Sequence, residues 1–131
     1  MQKEDKMIKG TFEDFIGIWD NSVDENICKE FVKYYDWTVK NSYNISSEFH
    51  EIERGDEQIF IDSTSFQYPS SLCEQYWKCL QQCVEEYMAE YLIKLNGDLH
   101  SWAFKVHKVK EKQGYHIWHY ESSEYETRDR F

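Results

Sequence analysis

Apolar positions along this chain follow a helical period through most of its length and an extended one near its end. Phe15-Ile16-Gly17-Ile18-Trp19 is a short continuous apolar run that predicts a strand. Ser22 with Glu25 three residues on is a capping-box pair, and Ile27, Phe31, Tyr34, Tyr35 and Thr38 then recur at helical spacing to about Val39. Gln58–Asp62 reads as a second strand, closed by Ser63-Thr64-Ser65. After the turn at Tyr68-Pro69, apolar residues return at i, i+3, i+4, predicting a helix from about Ser71 to Leu95 that Asn96-Gly97 stops. Leu80, Val84, Met88 and Leu92 form the stripe expected to face a sheet.

The period then changes. In Ser101–Lys110, Trp102, Phe104 and Val106 alternate with Ala103, Lys105 and His107, which predicts a strand. Glu111–Gly114 is a charged turn, and Tyr115–Glu121 is a second extended run. Helices first and strands last predict an α+β fold with a helical layer on one side of a sheet.

Composition narrows the function classes. With 131 residues, ten Tyr, eight Phe and five Trp, the chain suits one folded domain; disordered chains are poor in aromatics. The formal net charge is −10. Residues 1–69 carry 7 basic and 15 acidic side chains, the remainder 8 and 10, so the acidity lies mainly in the first half. Nucleic acid and anionic membrane surfaces both select for Lys and Arg, so neither is expected as a partner. Met1–Gly10 is charged without an apolar run, no stretch suits a membrane span, and the four Cys lie in helical patterns. The expectation is reduced thiols in a cytoplasmic compartment, with Asn44-Ile45-Ser46 a coincidental sequon.

The candidate chemistry is His119-Tyr120-Glu121. In a strand, residues i and i+2 share a face with Cα atoms roughly 7 Å apart, so the His119 imidazole and Glu121 carboxylate converge. One His and one carboxylate are two of the three ligands of a 2-His-1-carboxylate iron site. Five His and 25 acidic residues give about one His-x-acid triplet by chance, so the surroundings must carry the reading.

Those surroundings are Lys105-Val-His-Lys-Val-Lys110, a short turn, Gly114-Tyr-His-Ile-Trp-His-Tyr-Glu121 and Arg128-Asp-Arg-Phe131. Together they resemble the Fe(II)/2-oxoglutarate-dependent dioxygenases, in particular the prolyl-4-hydroxylase-like proteins of phage and marine bacteria. Phe15-Ile-Gly-Ile-Trp-Asp-Asn21, a Cys-bearing helix, Asp62-Ser-Thr64 and a long Tyr-rich helix are similar to that group's N-terminal helical layer.

The resemblance implies His119 and Glu121 as iron ligands, Tyr115 near the 2-oxoglutarate pocket and a structural role for Arg130. Fe(II) and 2-oxoglutarate would be cofactor and cosubstrate, and the substrate a peptide or small molecule. It further implies a single domain, with 1–100 the helical layer and 101–131 the first strands of a double-stranded β-helix, or jelly roll. The family's distal His, and the Arg or Lys beyond it that binds 2-oxoglutarate, have no match here: of the ten residues after Glu121, none is His or Lys. The expectation is the N-terminal part of such an enzyme, inactive alone and prone to self-association or completion by another chain. The rival readings are a non-catalytic acidic binding module and half of a split enzyme. Cys79 and Cys83, one helical turn apart without a second pair, read as core, and His116 as a packed or surface residue.

Overall fold

The computed structural model describes residues 9–41, 57–97, 100–101 and 103–114. They form two helices and two two-stranded antiparallel sheets, in the order β1 (Thr11–Glu13), β2 (Ile16–Ile18), α1 (Glu25–Lys40), β3 (Glu57–Asp62), α2 (Ser70–Glu90) and β4 (Ala103–Lys108). The α+β class follows; no closed barrel forms among the described residues.

Helix α1 begins at Asp24 rather than at Ser22. Asp24 is extended and its Oδ1 accepts the Asn26 N–H at 2.7 Å, satisfying a donor the first turn leaves orphaned. A carboxylate therefore caps the helix where a Ser22–Glu25 box was expected. At the other end Asn41 Nδ2 donates to the Trp37 carbonyl at 2.7 Å. The buried face presents Tyr35 and Thr38.

That face meets β3. Strand β3 pairs with β4 in a register that sets Ile59 opposite Val106 and Ile61 opposite Phe104. Ile59 and Ile61 are completely buried; Tyr35 and Cys73 complete the core, with Phe31, Tyr34, Tyr68, Phe104 and Val106 around it. Past β3 the chain turns on Asp62, whose carboxylate accepts both the N–H and hydroxyl of Thr64. These donors hold its pKa below the ordinary aspartate value.

Helix α2 touches this core through its first turns. Cys73 is buried, and the Tyr76 ring makes edge contacts with Phe31 and Phe104, each at 5.7 Å. The expected stripe is corrected: Leu80 is 36% exposed and Leu92 84%, while half-buried Val84 and Met88 line a hollow beside the hairpin and lie outside the core. The helix stops at Glu90, short of Leu95. Leu92 N–H bonds the Ala89 carbonyl at 3.4 Å and Ile93 N–H the Met88 carbonyl at 2.9 Å, the two bonds of a Schellman motif. Leu92 takes the left-handed position of that motif, φ +52°, where glycine is usual. Tyr91 is held at this break by rings from the N-terminal strands, Phe15 at 4.8 Å and Phe12 at 5.9 Å.

Strands β1 and β2 form a hairpin with Phe12 opposite Gly17. Its two turn residues, Asp14 (φ +48°) and Phe15 (φ +63°), both have positive φ, as a type I′ turn requires. Phe15, expected inside a strand, is thus at the tip. Trp19 covers the hairpin so closely that a Cβ on Gly17 would lie 2.4 Å from its ring, and one on Gly10 2.5 Å, so both positions need glycine.

Leu92→Asp, which a buried stripe would make severely destabilising, should change stability by no more than about 0.5 kcal/mol. Leu92→Gly should raise it by roughly 1 kcal/mol through relief of the left-handed backbone. Ile61→Ala should cost ~2–5 kcal/mol. Urea denaturation midpoints of the three variants rank them; a large loss in Leu92→Asp would restore the longer stripe.

Candidate functional site

The residues singled out for iron and cosubstrate, Tyr115, His119 and Glu121, lie outside the described residues, as do His116, Arg128 and Arg130. What the structure describes is the approach to them. Strand β4 uses one edge to pair with β3, and its other edge carries no partner strand among the described residues. After Lys108 the chain turns: Gln113 N–H donates to the Lys110 carbonyl at 3.0 Å, and Gln113 Oε1 accepts the Lys110 N–H at 2.9 Å. Lys112 (φ +65°) and Gly114 (φ +138°) both lie in the left-handed half of backbone space, which suits a reversal. This is the charged turn expected at Glu111–Gly114.

Among the described residues, two hollows flank α2. The larger, about 660 Å³, lies beside Trp19 and Gly17 of the hairpin, Trp77, Val84, Tyr87 and Met88 of α2, and His100. It is walled by apolar and aromatic side chains, with exposed His100 and Ser101 as polar groups at its margin. The other, about 590 Å³, lies between the first turns of α2 and Tyr34 and Trp37 of α1.

Two thiols of α2, those of Cys73 and Cys83, are quiet. Burial raises the pKa of the Cys73 thiol, against a hydrogen bond shared with Tyr68 that lowers it. Tyr68 is itself raised, by burial first and by the neighbouring Cys73 second. Burial likewise raises Cys83, which shares a hydrogen bond with Ser22. Neither thiol is poised as a thiolate nucleophile. No group of three His, Cys, Asp or Glu side chains able to hold a metal occurs among the described residues. No described helix is long and apolar enough to cross a membrane.

Sequence reasoning missed Glu86. Its carboxylate accepts Trp19 Nε1–H at 2.7 Å and the Gly10 N–H at 3.1 and 3.2 Å, tying the hairpin to α2. Tyr87 O–H adds a 2.6 Å bond to the Phe15 carbonyl. The available signal was a carboxylate in line with Cys79 and Cys83 at helical spacing, a place where an apolar residue is expected.

No family model, no curated protein and no solved structure matches the chain.

Removing the Glu86 carboxylate strands two donors, one of them on buried Gly10. Glu86→Ala should therefore cost ~1–3 kcal/mol, and the Gly10 amide should lose its hydrogen-exchange protection ahead of the β3–β4 amides. Equal protection in variant and wild type would show that the aromatic contacts alone hold the hairpin.

Proposed function

We propose that this chain is the N-terminal part of an Fe(II)/2-oxoglutarate-dependent dioxygenase, with a helical layer on the first strands of a jelly roll. The observation that supports this best is the turn at Lys110–Gln113, which follows β4, whose second edge carries no partner strand among the described residues. A strand at 115–121, as the sequence pattern predicts, would extend the β3–β4 sheet by one member. Its alternation would set His119 and Glu121 on one face and Trp118 and Tyr120 on the other.

An imidazole and a carboxylate suit Fe(II) and leave room in its coordination sphere for a chelating cosubstrate and O₂. When bound, that metal with 2-oxoglutarate supplies the oxidative chemistry. This chain's part is to hold His119 and Glu121 at strand spacing and to back them with a packed sheet that excludes water. Tyr115 belongs in this reading beside 2-oxoglutarate. The third metal ligand and the cation for the far carboxylate of 2-oxoglutarate come from a further stretch of polypeptide. The substrate is a peptide or a small molecule.

Anaerobic titration with Co(II) as a spectroscopic substitute for Fe(II) tests the assignment. Wild type should bind weakly, and His119→Ala and Glu121→Ala should each lower the affinity at least about tenfold, His116→Ala leaving it unchanged. The same affinity in all four proteins would refute the iron reading. Succinate formation by the 131-residue chain should stay at background. Turnover abolished by His119→Ala would keep the iron and overturn the count of ligands.

A further inference from the structure

The N-terminal hairpin and the end of α2 share a surface that the iron reading does not use. Phe15 is 73% exposed at the hairpin tip. Its ring rests on Tyr91, and the next residue, Leu92, is the most exposed of the large apolar side chains among the described residues. Ile16 and Ile18 are also exposed and line a shallow hollow of about 240 Å³ with Thr11, Glu13 and Asp14. Both Phe15 and Leu92 occupy left-handed backbone positions, where Asn or Gly would fold with less strain. At these two neighbouring places an apolar side chain is thus held at the surface on left-handed backbone.

The charges around these side chains say what would cover them. Glu13 and Asp14 border Phe15, and Glu90 precedes Tyr91. None of the three carboxylates has a hydrogen-bond or ion-pair partner among the described residues. A second copy of this chain would set these carboxylates against their own counterparts, and an anionic lipid surface would repel them.

We infer that the tip of the β1–β2 hairpin, with Phe15 as its anchor and Leu92 beside it, is a docking surface for a protein partner that offers an apolar pocket rimmed by Lys or Arg. Phe15 fills the pocket, and Glu13, Asp14 and Glu90 pair with the rim. An aromatic anchor ringed by complementary charge is the arrangement that concentrates binding energy in few residues. This surface owes nothing to His119 or Glu121 and would serve the chain with or without iron.

The probe is β-cyclodextrin carrying ammonium groups on its rim, a small apolar cavity with a cationic border; carboxymethylated β-cyclodextrin is its anionic control. NMR titration of the full chain, followed at Phe15, should show the cationic host binding at least about tenfold more tightly than the anionic one, the gap narrowing with salt. Phe15→Gly should lower cationic-host affinity at least about tenfold while leaving the melting temperature close to wild type, relief of the left-handed backbone offsetting the lost contact with Tyr91. Phe15→Asn, which also suits the turn, gives the same readout should the glycine variant fold poorly. Val32→Ser, at an exposed position on α1, should bind like wild type. Unchanged affinity in Phe15→Gly and Phe15→Asn, or equal affinity for the two hosts, would overturn the inference. A dimer by sedimentation that Phe15→Gly dissolves would also overturn it, by naming a second copy as the occupant.

Discussion

Burial of Ile59 and Ile61 beneath α1 is the contact on which the other elements depend. Each is fully enclosed, worth roughly 1.5–3 kcal/mol relative to exposure, and both lie on one face of β3 because strand side chains alternate. Their positions fix the β3–β4 register, since a one-residue slip would turn both toward solvent. Helix α2 reaches this core through Cys73 and Tyr76. At its other end it carries the hairpin, through Glu86, Tyr87 and Tyr91. The two sheets share no described ladder, and among the described elements α2 touches both: apolar contact at its start, a carboxylate and aromatic rings at its end.

The elements legible in the sequence were those whose burial follows a simple period. Strand β3 and the body of α1 are where alternation and helical spacing put them, because Ile59, Ile61, Tyr35 and Thr38 are all buried. Helix α2 was legible at its start but not at its end. Apolar residues continue at helical spacing through Leu95, yet the chain leaves the helix at Tyr91, whose ring is held by Phe12 and Phe15 from the other end of the sequence. A local period cannot report a contact between residues so far apart. The same blindness hid the hairpin. Asp14-Phe15 is not a pair that signals a type I′ turn, and by hydropathy alone Phe15 extends the apolar run of β2. Ser22 and Asp24 both offer caps; geometry selected Asp24, while Ser22 turned to Cys83.

The candidate iron residues rest on resemblance and lie outside the described residues; β4 is the described strand that precedes them in the chain. That strand is where the alternation of Phe104 and Val106 predicted it, and its pairing to β3 ties the last part of the chain to the helical layer. An exposed strand edge invites another strand, because its backbone donors and acceptors need partners. A turn that begins two residues beyond such an edge is the simplest local device for supplying one. The value of His119 and Glu121 thus rests on period-2 geometry: the same alternation that buries Ile59 and Ile61 would bring an imidazole and a carboxylate together on a strand next to β4.

Backbone strain divides the molecule in a way that burial does not. The buried residues of α1, β3 and α2 all take ordinary helical or extended conformations, whereas left-handed backbone at non-glycine residues falls at the surface, at Phe15 and Leu92 as at Asp14, Asn21, Gln67 and Lys112. Left-handed backbone disfavours an L side chain by roughly 1–2 kcal/mol, a loss that a core of a few buried side chains has little margin to absorb. Selection for stability alone would place glycine or asparagine at these positions, and the Schellman geometry around Leu92 would accept glycine without change. The strain is held in place by Glu86, Tyr87 and Tyr91, which dock the hairpin on α2. This docking sets the Phe15 ring against Tyr91, beside Leu92, so that the hairpin tip and the end of α2 form one surface.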